Sequence, residues 1–155
     1  MRLIIAAVGR PKDQALAAAI GDYESRAGRY WPLGVVEVKA ERGDSDSSSA
    51  TVRAREGERL RQRIGPASTW VACDASGKSM SSERFAEWLQ KRRESAQDVA
   101  FVIGGAFGLE DAVRDEAGML LSLAPWTLPH EMARLVLAEQ LYRAGTILRG
   151  EPYNK

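Results

Sequence analysis

The residues best suited to chemistry gather in the last third of the chain. His130 is the only histidine, and imidazole is the side chain whose ordinary pKa lies near neutrality, so it can take or give a proton at physiological pH. It follows Pro125-Trp126-Thr127-Leu128-Pro129. The two prolines fix two φ angles and keep Ala124 and Leu128 out of the helical region, which makes this loop stiff. A stiff loop can be a ligand platform. It can equally be structural, because proline at a helix start is a common stop-start device and a histidine after it can cap the helix. Upstream, Phe101-Val-Ile-Gly104-Gly105-Ala-Phe-Gly108-Leu109 is an apolar run opening into three glycines. That pattern predicts a buried strand and a turn whose backbone passes close to something, often a cofactor. The spacing G-G-x-x-G is not G-x-G-x-x-G, and no acidic residue ends a strand about twenty positions on, so the dinucleotide fingerprint fails and a nucleotide-dependent oxidoreductase is disfavoured.

These segments need a scaffold. Leu3 to Val8 reads as a fully buried strand, and Asp13 can cap a helix running to about Ala27, with Leu16, Ile20 and Tyr23 on one stripe. Val35 to Lys39 predicts a second strand, Gly43 to Ser49 a Ser- and Asp-rich loop, and Thr51 the start of a charged helix ending near Ile64. Trp70 to Cys73 is the third expected strand. Ser81 or Ser82 caps a helix carrying Phe85, Trp88 and Leu89; Ala100 to Ile103 is the fourth strand. Glu110 to Ala117 predicts a short helix, Met119 to Leu123 a fifth strand, and the residues after Pro129 a helix ending near Leu148. The alternation implies one α/β domain over residues 1–155, with a mainly parallel sheet flanked by helices. On the last helix, Met132, Leu135, Val136, Leu137, Leu141, Tyr142, Ile147 and Leu148 cover more than one face. Either that helix is wholly buried or it adds a subunit interface to its core contact.

Apolar residues make up 45% of the chain and charged ones 28%, as in an ordinary globular protein. The formal charge is +1 and the pI about 7.9, whereas an autonomous nucleic-acid-binding domain often exceeds a pI of roughly 9. Arginines do cluster locally, at Arg53, Arg55, Arg59, Arg61 and Arg63 and again at Lys91, Arg92 and Arg93; the plain reading of each cluster is a solvated helix face. Cys73 is the lone cysteine. It offers no disulfide and no metal-ligand set, which fits a reducing, cytoplasmic setting. The apolar opening is too short to span a membrane.

Taken together, V-I-G-G-x-x-G-L, then L-S-L-x-x-x-T-L-P-H, a helix with R-x-x-L-x-E-Q-x-Y-R-A and the tail R-G-x-x-Y-x-K resemble the SPOUT-superfamily pseudouridine methyltransferases of large-subunit ribosomal RNA. Leu3 to Gly9, Tyr23-Glu24-x-Arg26 and Asp74-x-x-Gly77-Lys78-x-x-Ser81-Ser82-Glu83 fit the same pattern, so the resemblance spans essentially the whole chain. It implies a C-terminal trefoil knot, a homodimer, and methyl transfer from S-adenosylmethionine, without a metal, to N3 of a pseudouridine in 23S ribosomal RNA within the large subunit or the assembled ribosome. By motif, it assigns the methyl donor to Cys73, Gly104, Gly105, Leu123, Ala124, Pro125, Trp126, Thr127 and Leu128. His130 and Tyr153 become catalytic candidates, and Arg134, Arg143, Arg149 and Lys155 RNA contacts. Trp126 can shield the donor or belong to core or interface packing. In one place the chain departs from the family: Asn154 follows Tyr153 where a histidine is usual. Asn cannot act as a base. A catalytically inactive, ribosome-binding protein of the same fold is therefore the alternative.

Overall fold

The computed structural model describes residues 1–43, 48–66 and 68–155. Five strands, all parallel, form one sheet: β1 (Leu3–Val8), β2 (Leu33–Val38), β3 (Thr69–Ser79), β4 (Val99–Ile103) and β5 (Met119–Ser122), in the spatial order β2-β1-β4-β3-β5. Every residue of β1 and β4 is buried. The reason is that the sheet has a core on each face, so both sets of alternating side chains need apolar types. On one face Leu3, Ile5, Val71 and Phe101 pack with Leu89, Leu137 and Leu141. On the other, Ile4, Ala6, Val8, Ala100 and Val102 pack with Leu60, Ile64 and Val113.

The helices are α1 (Gln14–Ala27), α2 (Ser49–Ile64), α3 (Ser82–Glu94), α4 (Asp111–Glu116) and α5 (His130–Leu148). Asp13 caps α1 by accepting from the Leu16 N–H at 2.8 Å, and of the two serines before α3 it is Ser81 that caps, accepting from Arg84 at 3.2 Å. The charged helix starts at Ser49, not Thr51, because Ser48 supplies the cap to the Thr51 N–H. The third strand is much longer than Trp70 to Cys73. After Cys73 the register slips, and the strand pairs again with β5 at Lys78 and Ser79. The interruption falls on Asp74-Ala-Ser-Gly, a turn-forming composition. The loop expected at 43–49 falls mainly on 44–47, outside the described residues.

Helix α5 lies between α1 and α3. The Trp31 indole N–H donates to the Leu141 carbonyl at 2.8 Å, fixing the end of α1 to the middle of α5. Ala133, Leu137, Leu141 and Ala144 are buried, whereas Met132, Leu135 and Val136 are only half-buried. The helix is therefore not wholly buried, and an apolar strip remains on its outer face. No helix is long and apolar enough to cross a membrane among the described residues.

Candidate functional site

A cleft of about 290 Å³ opens at the carboxyl ends of β4 and β5 and at the register slip after Cys73 in β3; ligands of open parallel sheets generally bind at the carboxyl ends of the strands. Cys73, Gly104, Gly105, Leu123, Ala124, Trp126, Thr127, Leu128 and His130 all line it; Pro125 alone of the proposed donor residues does not. Asp74, Ala75, Ile103, Gly108, Leu109 and Ala133 complete the wall. Sequence reasoning missed these six, although five of them adjoin or interrupt the motifs it used. The walls are largely apolar. Loop 123–129 lies outside the helix and strand ladders, so its amides and carbonyls remain available to a ligand, with the Ser122 hydroxyl donating to the Ala124 carbonyl at 2.7 Å to brace it. Trp126 stands 78% exposed at the edge.

Two polar groups on the wall have defined states. Burial pushes the Cys73 thiol up to about 12, so it is a neutral, unreactive lining group. Desolvation would also raise the Asp74 carboxyl, but the Ser76 hydroxyl and N–H, at 2.5 and 2.9 Å, together with the Arg114 guanidinium at 3.1 Å hold it below the ordinary carboxylate range. Asp74 is therefore an ionised carboxylate on the cleft wall, paired with Arg114. Among the described residues no group of three metal-ligating side chains comes together.

The glycine turn brings backbone close to backbone. A Cβ on Gly104 would lie 2.6 Å from the Gly108 carbonyl carbon and 2.8 Å from its oxygen. The close approach seen here is made by the turn's own backbone, closed by the Gly105–Gly108 bridge and by Gly108 at φ 78°. Behind the turn lies Glu56 of α2, 3% exposed. A Cβ on Gly105 would meet its Oε2 at 3.0 Å. The Glu56 Oε1 accepts from the Glu41 N–H at 3.0 Å, while Oε2 has no partner. Desolvation raises this carboxyl above its ordinary value, against the Glu41 hydrogen bond and the charge of Arg59.

The tail residues lie elsewhere. Helix α5 begins at His130 and ends at Leu148, a length of roughly 27 Å at 1.5 Å per residue. Tyr153 follows the helix in sequence, but the tail folds back along α5: its hydroxyl donates to Glu139 at 3.1 Å and its ring packs on Tyr142, roughly 14 Å of helix rise from His130. Burial, then the Tyr23 hydroxyl and the Glu139 charge, push the Tyr153 phenol well above its ordinary value, so it is protonated at neutral pH. Arg143 bonds Glu139 at 2.6 and 2.9 Å and the Asn154 carbonyl at 3.1 Å; the Asn154 amide donates to Glu83 at 2.9 Å. Asn154 thereby anchors the tail to both α3 and α5. Arg149 is exposed, over the Tyr30 ring, and Lys155 is exposed.

Arg134 needs correction as an RNA contact. It is 5% exposed, and its guanidinium is committed to Glu24 and Glu37. Three of the five arginines of α2 are similarly occupied: Arg55 and Arg59 bind Glu41, and Arg61 binds Glu110 and Glu116.

Comparison with known proteins adds an independent finding. A family model described as a predicted SPOUT methyltransferase matches residues 1–154. The chain is 60% identical over 155 residues to the ribosomal RNA large subunit methyltransferase H of Gemmatimonas aurantiaca, with all of both chains covered. It is 46% identical to the protein of the same description from an Anaeromyxobacter species, again over the full length of both. Among solved structures, a probable methyltransferase from Bordetella pertussis Tohama I superposes with a TM-score of 0.56 at 16% identity, covering 92% of this chain and 95% of the other.

Proposed function

The chain belongs to the SPOUT methyltransferase family, and from that premise we propose that it methylates N3 of a pseudouridine in 23S ribosomal RNA with S-adenosylmethionine as donor. The observation that carries this reading is the convergence of the glycine turn, Cys73 and loop 123–128 on one cleft. Near 300 Å³, it is at the lower end of small-ligand pockets. Its chemistry fits the donor: apolar walls at Leu109, Leu123 and Leu128 suit the adenosyl ring, loop amides and carbonyls can pair with its edge, and Asp74 can face its cationic end.

When bound, the donor supplies a sulfonium methyl group that passes to N3 as the N3 proton is lost, leaving S-adenosylhomocysteine. The protein orients the two reactants and receives the proton. His130, which lines the cleft, is the candidate to receive it. Tyr153 is a hydrogen-bond donor and not a base.

A two-fold homodimer belongs to the same proposal. In one subunit Arg149 lies past the end of α5 opposite His130, while Arg143 and Tyr153 meet at Glu139, roughly 14 Å along the helix from His130. A second copy with its α5 antiparallel across the half-buried strip Met132, Leu135 and Val136 would bring its tail to the first copy's cleft. A C-terminal trefoil knot is likewise proposed. Its support is that the segment after β5 runs through the cleft beside the glycine turn before α5 packs back on the sheet.

The test is tritiated-methyl incorporation. Ribosomes carrying the unmethylated pseudouridine should accept methyl, and deproteinised 23S RNA should accept much less, because a net charge of +1 gives little long-range attraction to RNA. Donor binding without transfer to either substrate would favour the inactive ribosome-binding alternative.

A further inference from the structure

We infer that the RNA acceptor strand docks in a second groove, with one base stacked on Phe107 and backbone phosphates held by Lys12, Lys39 and Arg42. The inference rests on the function proposed above and gives its acceptor a location. The groove encloses about 820 Å³ between the carboxyl ends of β1 and β2 and the glycine turn. Gly105 and His130 line both this groove and the donor cleft, so the two adjoin and a strand held in the groove can turn a neighbouring base into the cleft.

Three features point to single-stranded RNA as the occupant. Phe107 is 53% exposed at the apex of a turn whose conformation is fixed by glycine contacts. An unpaired base can stack there without any sequence-specific hydrogen bond. Secondly, the basic side chains Lys12, Lys39 and Arg42 of the groove are exposed, while Arg10 serves Glu37. Thirdly, the carboxylates that share it are already engaged. Glu37 is bonded by Arg134, with Arg10 on its second oxygen. Glu41 is bonded by Arg55 and Arg59. Glu56 is buried beneath the turn. The surface presented to a ligand is therefore positive although the chain as a whole is nearly neutral.

The experiment compares wild type, Phe107→Ala and the double variant K39A/R42A on ribosomes carrying the unmethylated pseudouridine. Transfer is measured against ribosome concentration at several salt concentrations, with donor affinity by calorimetry and oligomeric state by sedimentation. The ribosome KM of Phe107→Ala should rise about ten-fold. K39A/R42A should also raise KM and reduce its logarithmic salt dependence by between about one and two. Donor affinity and sedimentation should match wild type in both. Wild-type KM and salt dependence in both variants would overturn the docking site, and so would dissociation of a wild-type dimer by Phe107→Ala, which would assign the aromatic to contact between copies. If wild type itself binds donor but transfers nothing to these ribosomes, the methyltransferase reading falls and this inference with it.

Discussion

Arg134 of α5 and Glu24 of α1 meet in a two-pronged ion pair, Nε to Oε1 at 2.7 Å and Nη2 to Oε2 at 3.2 Å, with the third guanidinium nitrogen on Glu37 of β2 at 2.8 Å. One buried cation thus ties together a helix, a strand and the helix that opens at His130. Removing it leaves Glu24 without its cation and Glu37 with only the exposed Arg10. Arg134→Ala should lower unfolding free energy by about 3–5 kcal/mol in urea titration. Arg134→Lys should restore only part, because a point ammonium cannot make the forked contact. A loss under about 1 kcal/mol for the alanine variant would mean that the pair is solvated in a way its burial does not indicate.

The two glycines of the turn should respond differently. At Gly108 a Cβ meets nothing, so Gly108→Ala pays only for φ 78°, about 1–2 kcal/mol. At Gly104 the Cβ would be driven into the Gly108 carbonyl, and Gly104→Ala should cost clearly more. Equal losses in denaturant unfolding would contradict this geometry. Weaker donor binding by a Gly104 variant reports a damaged turn and does not by itself locate the ligand.

The legible parts of this molecule are those whose determinants are local. Asp13 capping α1, the apolar runs of β1 and β4, and the Pro125 to Pro129 loop each carry their cause within a few residues, and they place most of the cleft wall. What could not be read depends on partners far away in the chain. The carboxylates that claim Arg134 lie 110 and 97 positions off, so it looked like any basic residue beside a site. Glu56 gave no signal within a charged helix, since only the fold puts it behind Gly105. At Gly104 spacing reveals a close approach without naming what approaches, and the Gly108 backbone is one such neighbour.

Trp126 offers a direct probe of the cleft. It is largely exposed, whereas Trp31 is buried. Its emission should shift to the blue when S-adenosylmethionine covers it. Trp126→Ala should weaken the donor about five-fold, the effect of roughly 1 kcal/mol for a cation near an indole face, with an unchanged melting temperature. Normal affinity together with altered sedimentation would assign Trp126 to subunit contact instead.

Glu56 makes a prediction about pH. Its folded-state pKa lies above the unfolded one, so the folded protein holds this proton more tightly. The stabilisation is present below the ordinary carboxylate range and is lost as pH rises through the raised value. Glu56→Gln has no such proton to lose. Its melting temperature relative to wild type should therefore climb between pH 4 and pH 8. A difference that is flat with pH would show that the carboxyl titrates normally.

The distance between His130 and the tail leads to a prediction about subunits. If the tail completes the site of its own subunit, a protein damaged in the cleft and one damaged in the tail cannot help each other. If it completes the partner's site, they can. Thr127→Trp, which blocks the cleft, and Arg143→Ala, which frees Glu139 and Asn154 from the guanidinium that holds them, should each transfer little methyl. Arg143→Ala should nevertheless bind donor normally. Refolded together in equal amounts, about half the dimers will be mixed, and each mixed dimer will contain one site with both parts intact. Methyl incorporation should then recover to roughly a quarter of wild type. A mixture no more active than its components would confine each tail to its own subunit and remove the antiparallel arrangement of α5.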